Sequence, residues 1–107
     1  MASFDDREKA FENKFKLDEE LKFKATARRN KLLGLWAAEL MGMSAAEAGD
    51  YAKEVVQSDF ERPGDEDVLE KVHGDLQAKG LDASEHSVRK HMDDLMDAAV
   101  QQIEAGE

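Results

Sequence analysis

The run Asp59-Phe60-Glu61-Arg62-Pro63-Gly64-Asp65-Glu66-Asp67-Val68-Leu69-Glu70 sets an acid first, a glycine sixth and a glutamate twelfth, the spacing of a calcium-binding EF-hand loop. Its fifth position is Pro63, which has no side-chain oxygen to offer a cation, so the run reads better as a turn leading into an acid-rich helix start. The histidines His73, His86 and His91 lack a metal-ligand spacing, and the pair His91 and Asp94 at i, i+3 offers too few ligands for a site. Cysteine is absent, which removes thiolate ligands, thiol nucleophiles and disulfides together. His86 and Ser87 are neighbours that diverge on a helix, so they make no nucleophile–base pair. Neither a metal site nor catalysis is expected, and the chain reads as a non-enzyme.

Phosphate chemistry is harder to set aside. Between Leu21 and Ala38 there is no acid, yet Lys22, Lys24, Arg28, Arg29 and Lys31 all lie there beside an apolar strip that contains Trp36. No phosphate-cradling Gly-x-x-x-x-Gly-Lys-Ser/Thr loop is present, so nucleotide hydrolysis is not expected. Binding is another matter: Arg28, Arg29 and Lys31 could hold the phosphates of ADP or ATP, and the apolar surface around Trp36 an adenine. The plainer alternative is a solvated helix rim that pairs with acidic helices elsewhere in the chain. No cofactor is required by either reading.

The elements that must position these groups are helices. Hydrophobic periodicity close to 3.6 residues dominates, and two-residue alternation never runs far enough for a strand. The clearest helix is predicted from about Asp82 to Glu104, with Val88, Met92, Leu95, Met96, Ala99 and Ile103 on one face and Asp82 with Glu85 as its capping box. A helix starting near Asp65 carries Val68, Leu69, Val72 and Leu76 and stops at Gly80. Ser44 and Glu47 have capping-box spacing for a helix that buries Ala48, Tyr51, Ala52 and Val55, reaches about Phe60, and ends at Pro63-Gly64. The longest helix, from about Asp18 to Gly42, puts Leu21, Ala25, Leu32 and Trp36 on a common strip. The expected fold is all-α: an antiparallel four-helix bundle over residues 18–107, preceded by a mobile segment, residues 1–17, partly disordered in the free protein.

Charge is divided unevenly. Residues 1–31 hold nine Lys/Arg and seven Asp/Glu, net +2, whereas residues 32–107 hold six and eighteen, net -12. So acidic a body repels nucleic acid and anionic lipid, and no 20-residue apolar stretch exists to enter a bilayer. The charged start, Met1-Ala2-Ser3-Phe4-Asp5-Asp6-Arg7, is unlike an export signal, which points to a cytoplasmic protein. In residues 1–16 the aromatic groups Phe4, Phe11 and Phe15 recur at i, i+7 and i+11 and share a face in a helix. Such a stripe on a polar terminal segment suits insertion into a partner's groove; equally, Phe11 and Phe15 could cap this bundle's own core.

Several blocks carry a resemblance. Phe4-Asp5-Asp6-Arg7-Glu8, Ala27-Arg28-Arg29-Asn30-Lys31-Leu32-Leu33-Gly34, Tyr51-Ala52-Lys53-Glu54-Val55-Val56 and Phe60-Glu61-Arg62-Pro63-Gly64-Asp65-Glu66-Asp67-Val68 together resemble the ATPase inhibitor subunit zeta family of alphaproteobacterial F-type ATP synthases. The resemblance spans nearly the whole chain. It implies a four-helix bundle with an inhibitory N-terminal segment that enters a catalytic interface of the ATPase head and blocks hydrolysis. In that segment Phe4, Asp5, Asp6 and Arg7 match the family's pattern and Phe15 matches an aromatic near its end; with Phe11 these are the expected partner contacts. The family's link to adenine nucleotides adds to the Arg28, Arg29, Lys31 and Trp36 reading without locating a site. The implied setting is a protein monomeric when free and held at the cytoplasmic face of the membrane through ATP synthase. An alternative is a nucleotide-binding helical regulator with weak or no inhibition.

Overall fold

The computed structural model describes the backbone of residues 4–61 and 64–106 and the side chains of residues 19–60 and 64–106. Its elements are α1 (Phe4–Leu40), α2 (Ala45–Glu61), α3 (Asp65–Ala78) and α4 (Glu85–Glu104). Helix α1 is the central pole: α2 and α4 both pack along it, α3 touches it and bridges its two neighbours. This is the expected all-α, antiparallel four-helix bundle, with no strand among the described residues. One boundary differs. The first helix was expected from about Asp18, whereas α1 begins at Phe4 and runs unbroken for 37 residues.

Turn chemistry explains the other ends. At the start of α2 the predicted capping box is formed: Glu47 N–H donates to Ser44 Oγ at 3.2 Å and Ser44 N–H to Glu47 Oε1 at 3.1 Å. The Ser44 backbone bond, with its hydroxyl second, holds the Glu47 carboxyl below its usual range. The start of α4 is three residues later than the expected Asp82. Helix α3 closes with Gly80 at φ +76, Gly80 N–H bonding Gln77 O at 2.9 Å and Leu81 N–H bonding Leu76 O at 3.0 Å. That closure uses Gly80 and Leu81, so Asp82 and Ala83 serve as the link to α4. Ser84 takes the N-cap in extended backbone, its side chain accepting from Ser87 N–H at 3.1 Å, in place of the Asp82–Glu85 box.

The core joins all four helices. Leu33, Ala37 and Ala38 of α1 meet Tyr51 and Val55 of α2, Val68, Leu69, Val72 and Leu76 of α3, and Val88 and Met92 of α4. All four apolar residues predicted for α3 are buried. In α4, Val88, Met92 and Ala99 are fully buried, while Leu95, Met96 and Ile103 on the same predicted stripe are only partly so. The buried face of α1 is rotated from the expected one. Leu21, Leu32 and Trp36 lie at its margin, and the centre is Ala25, Arg29, Leu33 and Ala37 with Asn30, Gly34 and Ala38. Ala25, Gly34, Ala37 and Ala38 suit this centre because α1 is packed from two sides, by α2 and α4. Gly34 is an instance: a Cβ there would lie 2.7 Å from Ala52 Cα, so the α1–α2 contact admits no side chain.

One polar bond is set into the α2–α3 contact. Tyr51, 5% exposed, donates its hydroxyl to Asp75 Oδ2 at 2.7 Å, and Lys71 Nζ approaches the same oxygen at 3.2 Å. Burial first, and then the bond to the Asp75 carboxylate, push the Tyr51 phenol far above its ordinary value of 10.0.

Candidate functional site

The basic stretch of α1 does not present its cations to one side. Arg29 lies on the core face, 3% exposed, where Nη2 donates to Asp65 Oδ1 at 2.8 Å and Nε to Asn30 Oδ1 at 2.9 Å. A guanidinium can remain in such a place because its fork is met by a carboxylate and an amide oxygen. Asp65, at the first turn of α3, is 62% exposed, so the pair ties α1 to the α3 start with one end in water. Asn30 is fully buried, and its Nδ2 has no hydrogen-bond partner among the described residues. Its orientation follows from Arg29: the amide oxygen must face the guanidinium, which leaves the amino group without an acceptor.

Arg28 and Lys31 point elsewhere. Arg28 Nη1 donates to Gln102 Oε1 of α4 at 2.8 Å. Both residues line a groove of about 610 Å³ beside α4, together with Phe23, Lys24, Ala27 and Ile103. Trp36 is stacked on His91 of α4, with ring centroids 4.1 Å apart and planes 21° from parallel. His91 Nδ1 lies 3.0 Å from Ser87 O and donates to it, since a carbonyl only accepts. Of the four residues singled out for a nucleotide, the structure therefore brings together Arg28 and Lys31. It engages Arg29 in the α1–α3 pair and covers one face of Trp36 with imidazole.

A second groove lies between the outer sides of α1 and α2, about 620 Å³, floored by Leu35, Ala52 and Val56 and edged by Lys31, Lys53 and Phe60. A smaller cleft of about 290 Å³ adjoins it, with Thr26, Asn30 and Asp59 among its walls. Phe23 and Phe60 stand at the boundary, 66% and 63% exposed, edge to face with centroids 6.4 Å apart. Sequence reasoning did not single out this pair. The available signal was two large aromatics with polar neighbours, but Phe23 and Phe60 meet only once α1 and α2 are packed.

No three His, Cys, Asp or Glu side chains among the described residues gather where they could hold a metal ion. Asp59 and Asp65, the first and seventh positions of the EF-hand-like run, are engaged as the acceptor for Gly64 N–H at 3.3 Å and the partner of Arg29. Also among the described residues, no helix is long and apolar enough to cross a membrane. The side chains of Phe4, Asp5, Asp6, Arg7, Phe11 and Phe15 lie outside the described residues, although the α1 backbone that carries them is helical from Phe4.

Comparison with known proteins bears on most of the chain. A solved solution NMR structure is 49% identical, covers 81% of this chain and 99% of its own, and superposes with a TM-score of 0.71. No curated protein matches. The family model described as ATPase inhibitor subunit zeta matches residues 1–102, which takes in both the N-terminal Phe stripe and the bundle. The chain belongs to the ATPase inhibitor subunit zeta family.

Proposed function

We propose that this protein is an inhibitory subunit of F-type ATP synthase. Its N-terminal segment, with Phe4, Asp5, Asp6, Arg7, Phe11 and Phe15, enters a catalytic interface of the ATPase head and blocks hydrolysis there. The observation that carries this reading is the family match from residue 1, which includes the aromatic stripe as well as the bundle. Four helices already share the apolar core, so the bundle has what it needs to stand without residues 1–16. The aromatics Phe4, Phe11 and Phe15 would serve as anchors in the partner's groove, with Asp5, Asp6 and Arg7 setting register by charge. The protein acts by binding and performs no chemistry of its own. It would work at the cytoplasmic face of the membrane, as a monomer until it meets the enzyme.

The test is truncation. Removing residues 1–16 should abolish inhibition of the membrane-bound ATPase and leave the thermal melt of the bundle nearly unchanged. Full inhibition by the truncated chain would refute the reading.

A second reading is favoured by one observation, the shared groove of Lys24, Arg28 and Lys31 beside the Phe23 ring. Three cations next to an aromatic face suit the phosphates and base of ADP or ATP. Nucleotide would then shift the amide resonances of residues 23–31, and Arg28→Ala with Lys31→Ala would remove the response. Spectra unchanged at millimolar nucleotide would end this reading.

A further inference from the structure

The groove between α1 and α2 is apolar along its floor, charged at its edges and, among the described residues, covered by no side chain. Its end at Gly49 is open, because nothing lies within 4 Å of where a Cβ would stand. From Gly49 to Phe60 is eleven residues of α2, about 17 Å at 1.5 Å per residue, the length of three turns of a guest helix. Lys31 from α1 and Lys53 from α2 edge it, both exposed and neither in an ion pair among the described residues. In a chain of net charge -10, these two cations make the rim of this apolar floor locally basic. They complement a partner that brings carboxylates together with an apolar stripe.

We propose that this groove docks an acidic amphipathic helix on the surface of the ATPase head, as a contact separate from the one made by the N-terminal segment. The nature of the partner rests on the function proposed above. Helix α1 is continuous from Phe4 to Leu40, so Lys31 lies on the same rod as Phe15, about 24 Å further along. A segment that enters the head therefore brings the groove against the surface bordering its point of entry. The guest helix would set apolar side chains at i, i+3 or i+4, and i+7 on Leu35, Val56 and Phe60, and carboxylates against Lys31 and Lys53. A second copy of this chain is a poorer occupant, since two-fold pairing of the same patch sets cations against cations. An anionic bilayer is poorer too, because a flat surface does not fill a concave groove.

The full-length chain carrying Gly49→Leu or Lys53→Glu tests this against the intact membrane-bound ATPase. Leucine at position 49 fills the groove from open space and improves helix propensity, so the melting temperature should hold or rise. Each variant should raise the half-inhibitory concentration tenfold or more. The Lys53→Glu defect should shrink in high salt, and the Gly49→Leu defect should persist. If Gly49→Leu alters the melt, Lys53→Glu, at an exposed site, decides alone. Wild-type inhibition by both variants, with inhibition lost on deleting residues 1–16, overturns the groove and leaves the N-terminal reading standing. Inhibition kept by the deletion but lost in both variants supports the groove and overturns the N-terminal reading. Sedimentation that shows a dimer dispersed by Gly49→Leu would overturn the proposal in favour of a second copy. Binding to phosphatidylglycerol vesicles that Lys53→Glu abolishes would overturn it in favour of a lipid surface.

Discussion

Gly34 and Ala52 bring α1 and α2 into backbone contact, with only 2.7 Å between the place of a Gly34 Cβ and Ala52 Cα. Neither atom belongs to a flexible side chain, so relief requires one helix to move. Alanine would gain up to about 1 kcal/mol over glycine in a free helix. Overpacking at a rigid contact costs about 1–3 kcal/mol, and it should prevail here. Gly34→Ala is expected to lower the melting temperature by several degrees, measured by circular dichroism; an unchanged or higher value would mean that α1 and α2 separate freely.

The Tyr51–Asp75 bond makes stability depend on alkaline pH. The unfolded phenol ionises near its ordinary value of 10.0, while the folded one holds its proton well above that. The unfolded chain thus loses a proton first, and this contribution to stability, full below pH 10, declines as pH rises beyond it. Tyr51→Phe should cost about 1 kcal/mol at neutral pH for the lost hydrogen bond. Its stability should then fall less steeply above pH 10 than that of the wild type, in urea titrations at a series of pH values. Parallel declines would argue against a protonated, buried Tyr51.

Arg29 depends on Asp65 for its charge partner on the core face. Asp65→Ala should cost about 1.5–3 kcal/mol, the range for hydrogen bonds to charged groups. Asp65→Asn should cost less, because its amide oxygen can still accept from Arg29 Nη2. Equal losses for the two variants in chemical denaturation would show that the carboxylate charge, not the acceptor atom, is what Arg29 requires.

Core and inhibitory contacts should separate by mutation. Leu76 is fully buried, so Leu76→Ala should cost about 2–5 kcal/mol. Leu95→Ala should cost less, its side chain being only partly buried. Phe4→Ala should leave the melt unchanged yet weaken inhibition of the membrane-bound ATPase. Destabilisation by Phe4→Ala as large as that by Leu76→Ala would place Phe4 in the core.

Local signals in the sequence were read most directly. The Ser44–Glu47 box, the Gly80 stop and the Val68, Leu69, Val72, Leu76 face each depend on residues within one or two turns of each other, and each is present. What was missed depends on partners distant in the chain. Periodicity ranks residues by size and polarity, so it put Leu21, Ala25, Leu32 and Trp36 on α1's common strip and could not foresee Arg29 and Asn30 in the buried face. Arg29 is buried because Asp65, 36 residues on, is at hand. The same limit applied to Arg28 and Arg29, adjacent in sequence but turned to α4 and α3 respectively. Phe23 and Phe60 became a pair only through the α1–α2 packing.

Because α1 passes from Phe4 into the core without a break, helical phase is inherited along its whole length. Whatever direction the Ala25, Leu33 and Ala37 face takes toward the core fixes the phase with which the α1 backbone leaves the bundle. One residue inserted between Lys16 and Leu17 would turn the tip by about 100° and advance it about 1.5 Å without altering a single tip residue. Seven inserted residues would nearly restore the azimuth while displacing the tip by about 10 Å. Helical phase and reach can therefore be varied almost independently at the tip, by counting residues far from both ends of the rod.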